Sequence, residues 1–141
     1  MAVPNAVIAA HPEVAAWAMA GHSLGGSMAA QYVSDHPGAV AGLAFWASYA
    51  ATDLSGLDLR VVSVYGTLDA GAPRMSGPGA RGSVPAEAVF VPVAGGNHEQ
   101  MGWYTGQPND PAATIERAEQ QRHVVEATVA MLETIAVPPA P

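Results

Sequence analysis

Gly21-His22-Ser23-Leu24-Gly25-Gly26 stands between the short apolar run Val14-Ala15-Ala16-Trp17-Ala18-Met19-Ala20 and the helix-compatible stretch Gly26-Ser27-Met28-Ala29-Ala30-Gln31-Tyr32-Val33. It contains G-x-S-x-G. A strand that enters this pattern and a helix that leaves it make a sharp turn, and the turn lifts the Ser hydroxyl above the sheet edge. The run 14–20 suits a buried strand, and the stretch after it carries helical character to about Ser34. Gly21 and Gly25 lack a Cβ, so a strained turn at Ser23 is expected not to collide with its neighbours, and substitution of either should cost function before stability. His22 flanks the candidate nucleophile, and Gly26 completes the elbow.

Composition narrows the function classes. The chain has 141 residues, half of them hydrophobic, which suits one domain with a real core. That domain is read as 1–137, followed by a frayed Pro-rich tail at 138–141. Net charge is −7, with Arg as the sole cationic type and five copies of it, so no basic patch for a phosphate backbone can be assembled and nucleic acid is excluded as a partner. Without Cys there is no disulfide, thiolate metal site or Cys nucleophile. No membrane segment of about 18 apolar residues occurs, and the N-terminus lacks a signal-peptide pattern. The expectation is a cytoplasmic protein.

Taken in order, Ala6 to Ala10 reads as the end of a helix stopped by His11-Pro12. Further strands are expected at 40–46, at 59–65 and at 88–93, the second of them rich in β-branched residues. The Gly/Pro-rich segment 70–85, where a parallel sheet wants a crossover helix, leaves room for a short helix only. A longer helix is expected over about 116–135, with Val125, Thr128, Leu132 and Ile135 at helical spacing. Strands alternating with helices give an α/β fold, a mostly parallel sheet of about four strands with flanking helices. In such sheets, groups just past the carboxyl ends of strands converge on one rim, and Ser23, Asp69 and His98 each follow a strand.

A Ser hydroxyl needs a base to become a nucleophile, and the base needs a third group to fix its tautomer. Ser23, His98 and Asp69 fill these roles, in the chain order Ser, Asp, His. The N–H of Leu24 would be an oxyanion donor. Gly21-His22-Ser23-Leu24-Gly25-Gly26, Tyr65-Gly66-Thr67-Leu68-Asp69 and Gly95-Gly96-Asn97-His98 resemble the catalytic segments of the alpha/beta hydrolase superfamily. The stretch from Glu99 through Gln121 is similar to a bacterial branch related to dienelactone hydrolases. The resemblance implies a partial α/β-hydrolase fold and a serine esterase without cofactor, in which Ser23 is nucleophile, Asp69 acid and His98 base, acting on a small-molecule ester.

It also implies strands before the nucleophile, with a loop that donates a second oxyanion N–H, and this sequence carries neither. The domain is therefore expected to be N-terminally incomplete. Loss of one such donor costs about 100- to 1000-fold in turnover, so a weak enzyme is expected. The strand at 14–20 should have an unpaired apolar edge, open to self-association or a partner chain. A noncatalytic, truncated domain that pairs through this edge is the rival reading.

Among other candidates, Asp53 and Asp58 precede the third strand and read as turn residues, while His11, His36 and His123 read as solvated. His98-Glu99 does not extend to H-E-x-x-H, because position 102 is Gly, so no metal is expected. Trp103 and Tyr104 are candidates for a substrate pocket.

Overall fold

The computed structural model describes residues 3–135. The tail expected at 138–141 and the end of the expected domain span lie outside the described residues. The chain runs α1 (Val3–Ala10), β1 (Ala18–His22), α2 (Leu24–Asp35), β2 (Gly42–Trp46), β3 (Arg60–Gly66), α3 (Ala72–Ser76), α4 (Pro78–Gly82), β4 (Val89–Val93), a 3-10 turn (Glu99–Met101) and α5 (Arg117–Glu133). The four strands form one parallel sheet in the order β1-β2-β3-β4. Pro92, which has no N–H to give a ladder, is tolerated because β4 is an edge strand.

Period-2 alternation sorts the strand residues onto two faces. Leu43, Phe45 and Val61 pack with Ala30, Tyr32 and Val33 of α2 and with Leu54. Ala44, Val62, Val64 and Val93 pack on the other face with Met75 of α3 and with Val124 and Met131 of α5. The Trp46 indole N–H donates to Thr128 Oγ1 at 3.1 Å and fastens α5 to the end of β2.

Several expectations are corrected. The first strand occupies 18–22, not 14–20, because its ladder begins where β2 begins, with Ala18 opposite Gly42. Val14 to Trp17 are a connection. The segment after Asp69 is helical only in short pieces, as expected, and holds two of them, each with Pro at its start, where the fixed φ of Pro suits a first turn. On α5 the inward stripe is Gln120, Val124, Ala127 and Met131; of the four residues expected inside, Val125 and Leu132 are exposed, while Thr128 holds the Trp46 indole and Ile135, just past the helix, packs on the same core. Both stripes have helical spacing; the one that meets Val62 and Val64 is buried.

Among the described residues β1 pairs with β2 alone, which leaves its outer edge open. Beside it Val3, Met19, Met28 and Tyr32 line a shallow apolar groove of about 260 Å³. α1 has no fully buried residue, with Pro4 and Ile8 half-buried, and is tied to the body by the Tyr32 hydroxyl, which donates to Asn5 Oδ1 at 2.6 Å.

Candidate active site

At the carboxyl end of β1 the chain turns into α2 through Ser23, whose φ is +54° and ψ −125°. A non-glycine residue rarely adopts positive φ, and here the surroundings impose it. The Ser23 N–H extends the β1–β2 ladder by donating to Trp46 O at 3.0 Å. Its carbonyl accepts from Gly26 N–H at 3.1 Å and from the Ser48 hydroxyl at 2.6 Å. Leu24 opens α2, so its N–H is among the first-turn donors that have no intrahelical acceptor. The same end of the helix dipole favours negative charge.

The glycines of the turn divide unevenly. A Cβ on Gly21 would lie 2.4 Å from Gly25 C and Gly26 N, and one on Gly26 would lie 2.5 Å from Ser48 Oγ and 2.8 Å from Gly21 O. A Cβ on Gly25 would meet nothing within 4 Å. The expected steric need at Gly25 is thus corrected: the close approach is made by its backbone, against Gly21, and its own side-chain direction points to open space.

Asp69 and His98 are brought together by crossing of the turns that follow β3 and β4. Gly66 sits so close to Gly96 that a Cβ would lie 2.3 Å from Gly96 C. Thr67 N–H donates to Val93 O at 3.0 Å, Leu68 N–H to Gly96 O at 2.9 Å, and Gly95 N–H to Thr67 Oγ1 at 3.0 Å. Gly95, at φ +75°, makes the bend. The result is a contact of 2.7 Å between His98 Nδ1 and Asp69 Oδ2. Asp69 is buried, and its Oδ1 accepts from Gly71 N–H at 2.7 Å. With Nδ1–H directed to the carboxylate, Nε2 of neutral His98 is the ring nitrogen able to accept a proton.

Electrostatics separate the two histidines of the site. The His98 pKa is raised above the ordinary 6.5, first by the hydrogen bond to Asp69 and then by the charges of Asp69 and Asp110, with burial opposing. The His22 pKa is lowered, first by burial and then by the charge of His98. His22 Nε2–H donates to the His98 carbonyl at 3.2 Å, and the rings stand 4.8 Å apart.

Ser23, Asp69 and His98 line one cleft of about 660 Å³, together with Leu24, Ser48 and Met75. Trp103 and Tyr104 are not among its lining residues. Trp103 is 86% exposed beside the Arg117 guanidinium, and Tyr104 packs at 5.8 Å from His22 with its hydroxyl donating to Gln107. Asp53 accepts from Ser55 N–H at 2.9 Å, as a turn residue does. Among the described residues no group of three His, Asp or Glu side chains is placed to hold a metal ion, and no helix is long and apolar enough to cross a membrane.

Three supporting residues escaped the sequence reading. Ser48 holds the Ser23 carbonyl. Gln120, fully buried, grips the backbone of Asn97 from both sides, accepting its N–H at 3.1 Å and donating to its carbonyl at 2.7 Å. Arg117 donates to the carbonyls of Glu99, Gly102 and Tyr104 and so fixes the loop after His98. Gln120 and Arg117 begin the first two turns of α5, next to the loop they hold; a polar residue on the inward stripe was the one available signal.

Comparison with known proteins gives two findings. A family model described as the Alpha/beta hydrolase family matches residues 3–122. The chain is similar in fold to a crystal structure described as a predicted CIB-like hydrolase from Thermoplasma acidophilum, with TM-score 0.61 and 14% identity, over 92% of this chain and 58% of that one. This chain therefore spans somewhat over half the length of that structure. No match among curated proteins was found.

Proposed function

Because this chain belongs to the alpha/beta hydrolase family, we propose that it is a serine hydrolase that cleaves a carboxylic ester or related acyl bond through an acyl-enzyme. The observation that carries the reading is the 2.7 Å His98–Asp69 contact in the same cleft as Ser23 at its positive-φ turn. Ser23 Oγ attacks the acyl carbon while His98 Nε2 takes the hydroxyl proton. The carbonyl oxygen gains negative charge and is met by Leu24 N–H at the start of α2. Collapse of the tetrahedral intermediate breaks the bond to the leaving alcohol, which receives the proton from His98. Water then attacks the acyl-enzyme, again with His98 as base, releasing the acid and restoring Ser23. Asp69 orients His98 and stabilises its imidazolium. The finer placement near dienelactone hydrolases rests on the segment after His98 and belongs to this proposal.

Hydrolysis of p-nitrophenyl acetate by the wild type, Ser23→Ala and His98→Ala tests it. Both variants are expected to fall to the uncatalysed background. Hydrolysis retained in Ser23→Ala would remove Ser23 from the mechanism.

We also propose that the chain self-associates through β1. Support comes from the single-sided pairing of β1 and the apolar groove beside it. Light scattering should find a dimer or larger species that dissociates when Met19 is replaced by Lys; a monomer at all concentrations would refute it.

A further inference from the structure

Asp110 lies in the loop before α5, on the wall of the cleft that holds Ser23 and His98. Its two carboxylate oxygens are divided between successive backbone donors: Oδ1 accepts from His98 N–H at 3.0 Å and Oδ2 from Glu99 N–H at 2.9 Å. These are the N–H groups at the start of the 3-10 turn, where no earlier carbonyl is in register to receive them. The grip is reciprocal. Asn97 Nδ2 donates to Pro111 O at 3.0 Å, and Glu99 Oε2 accepts from Gly106 N–H at 2.9 Å and Gln107 N–H at 3.2 Å. Segment 106–111 and segment 97–99 are thus laced together, with Asp110 at the point nearest the base.

We propose that Asp110 is the positioning residue for His98: its carboxylate fixes the backbone from which the imidazole reaches Asp69 inside the cleft that Ser23 also lines. The proposal rests on the reading of His98 as the base. It acts through geometry and charge together. A charged acceptor holds backbone N–H groups more strongly than a neutral one, and displacement of a catalytic group by about 1 Å costs on the order of 100-fold in rate. The charged and titratable groups around His98 are Asp69 from the turn after β3, His22 at the end of β1, Glu99 beside it, Asp110, and Arg117 of α5, which binds the Glu99 carbonyl. Asp69 and Asp110 both raise the His98 pKa. Asp69 contacts the ring directly, whereas Asp110 bonds the main chain.

The test is an NMR titration and amide-exchange measurement on the full chain, as wild type, Asp110→Asn and Asp110→Ala, alongside rates of fluorophosphonate labelling. Asp110→Asn keeps the size and one acceptor oxygen, so it should stay folded. Its His98 ring should titrate at lower pH than in the wild type, its Glu99 or His98 amide should lose exchange protection, and its labelling rate above the titration should fall roughly 10-fold. Asp110→Ala should lose protection at both amides and fall further, towards about 100-fold. An unmoved His98 titration with both amides still protected would overturn the proposal. So would an unchanged labelling rate in a variant whose amides are released. Absence of labelling in the wild type, with the NMR changes intact, would strike the serine-hydrolase reading and leave the hold of Asp110 on His98 standing.

Discussion

Exchanging Gly for Ala at positions 21 and 25 should move stability in opposite directions, although both belong to one motif. At Gly21 the added methyl would stand 2.4 Å from Gly25 C, 2.4 Å from Gly26 N and 2.5 Å from Gly25 O. Comfortable carbon contacts are about 3.5–4.0 Å, and all three opposing atoms are backbone, so the turn must open by about 1 Å. Overpacking of this kind costs about 3 kcal/mol at the upper end of its usual range, or roughly 10 °C in Tm for a chain of this size. The same opening displaces Ser23, so labelling should drop on the order of 100-fold. At Gly25 nothing lies within 4 Å, and the residue sits in the first turn of α2. Ala there removes backbone freedom from the unfolded chain and should stabilise by about 0.5 kcal/mol. Urea unfolding of the two variants, with labelling in parallel, decides the matter. Equal losses at both positions, or an unaffected Gly21→Ala, would refute the packing argument.

The remaining expectations concern the base, its support and the helix face. In the proposed mechanism His98 serves as base only when neutral, and its pKa is raised above 6.5, so labelling should decline as pH falls through a midpoint above 6.5, and Asp69→Asn should lower that midpoint; a wild-type midpoint at or below 6.5 would contradict this. The same raised pKa gives a stability contribution that is fully present below the unfolded value of 6.5 and is lost as pH rises through the folded value, which unfolding curves at several pH values would reveal. Gln120→Leu strands a buried N–H and a buried carbonyl of Asn97 and should cost about 3 kcal/mol in urea unfolding; a loss under about 1 kcal/mol would show that the backbone finds other partners. Met131→Ala should destabilise by about 2–3 kcal/mol, whereas Leu132→Ser should stay within about 0.5 kcal/mol; the reverse order would put the other stripe of α5 inward.

Element types and the turns that carry Ser23, Asp69 and His98 after β1, β3 and β4 were legible because local patterns specify them: β-branched runs, and Gly-rich turns that hold a polar residue. Where a strand starts was less so. Val14 to Ala20 is uniformly apolar, and the register that places Ala18 opposite Gly42 is a property of the pair of strands. The inward face of α5 was misread in part for a related reason: Val125 and Leu132 sit one position from Val124 and Met131 at the same helical spacing, and the sheet selects the latter pair, while Thr128 and Ile135 do face the body. Ser48, Asp110 and Gln120 act on residues 25, 12 and 23 positions away. No periodicity encodes such contacts, since each depends on where folding sets a backbone donor or acceptor. The steric role of Gly21 was visible in the motif, but that of Gly26 against Ser48 required the packing of α2 on the end of β2.

The central claim is that Ser23 is an activated nucleophile beside a His98–Asp69 pair. Intact-mass analysis of the purified chain after exposure to a fluorophosphonate, with Ser23→Ala treated in parallel, tests it most directly. The account predicts one adduct on the wild type, mapping to the peptide that contains Ser23, and none on the variant. An adduct of equal yield on Ser23→Ala, or an unmodified wild type, would contradict it.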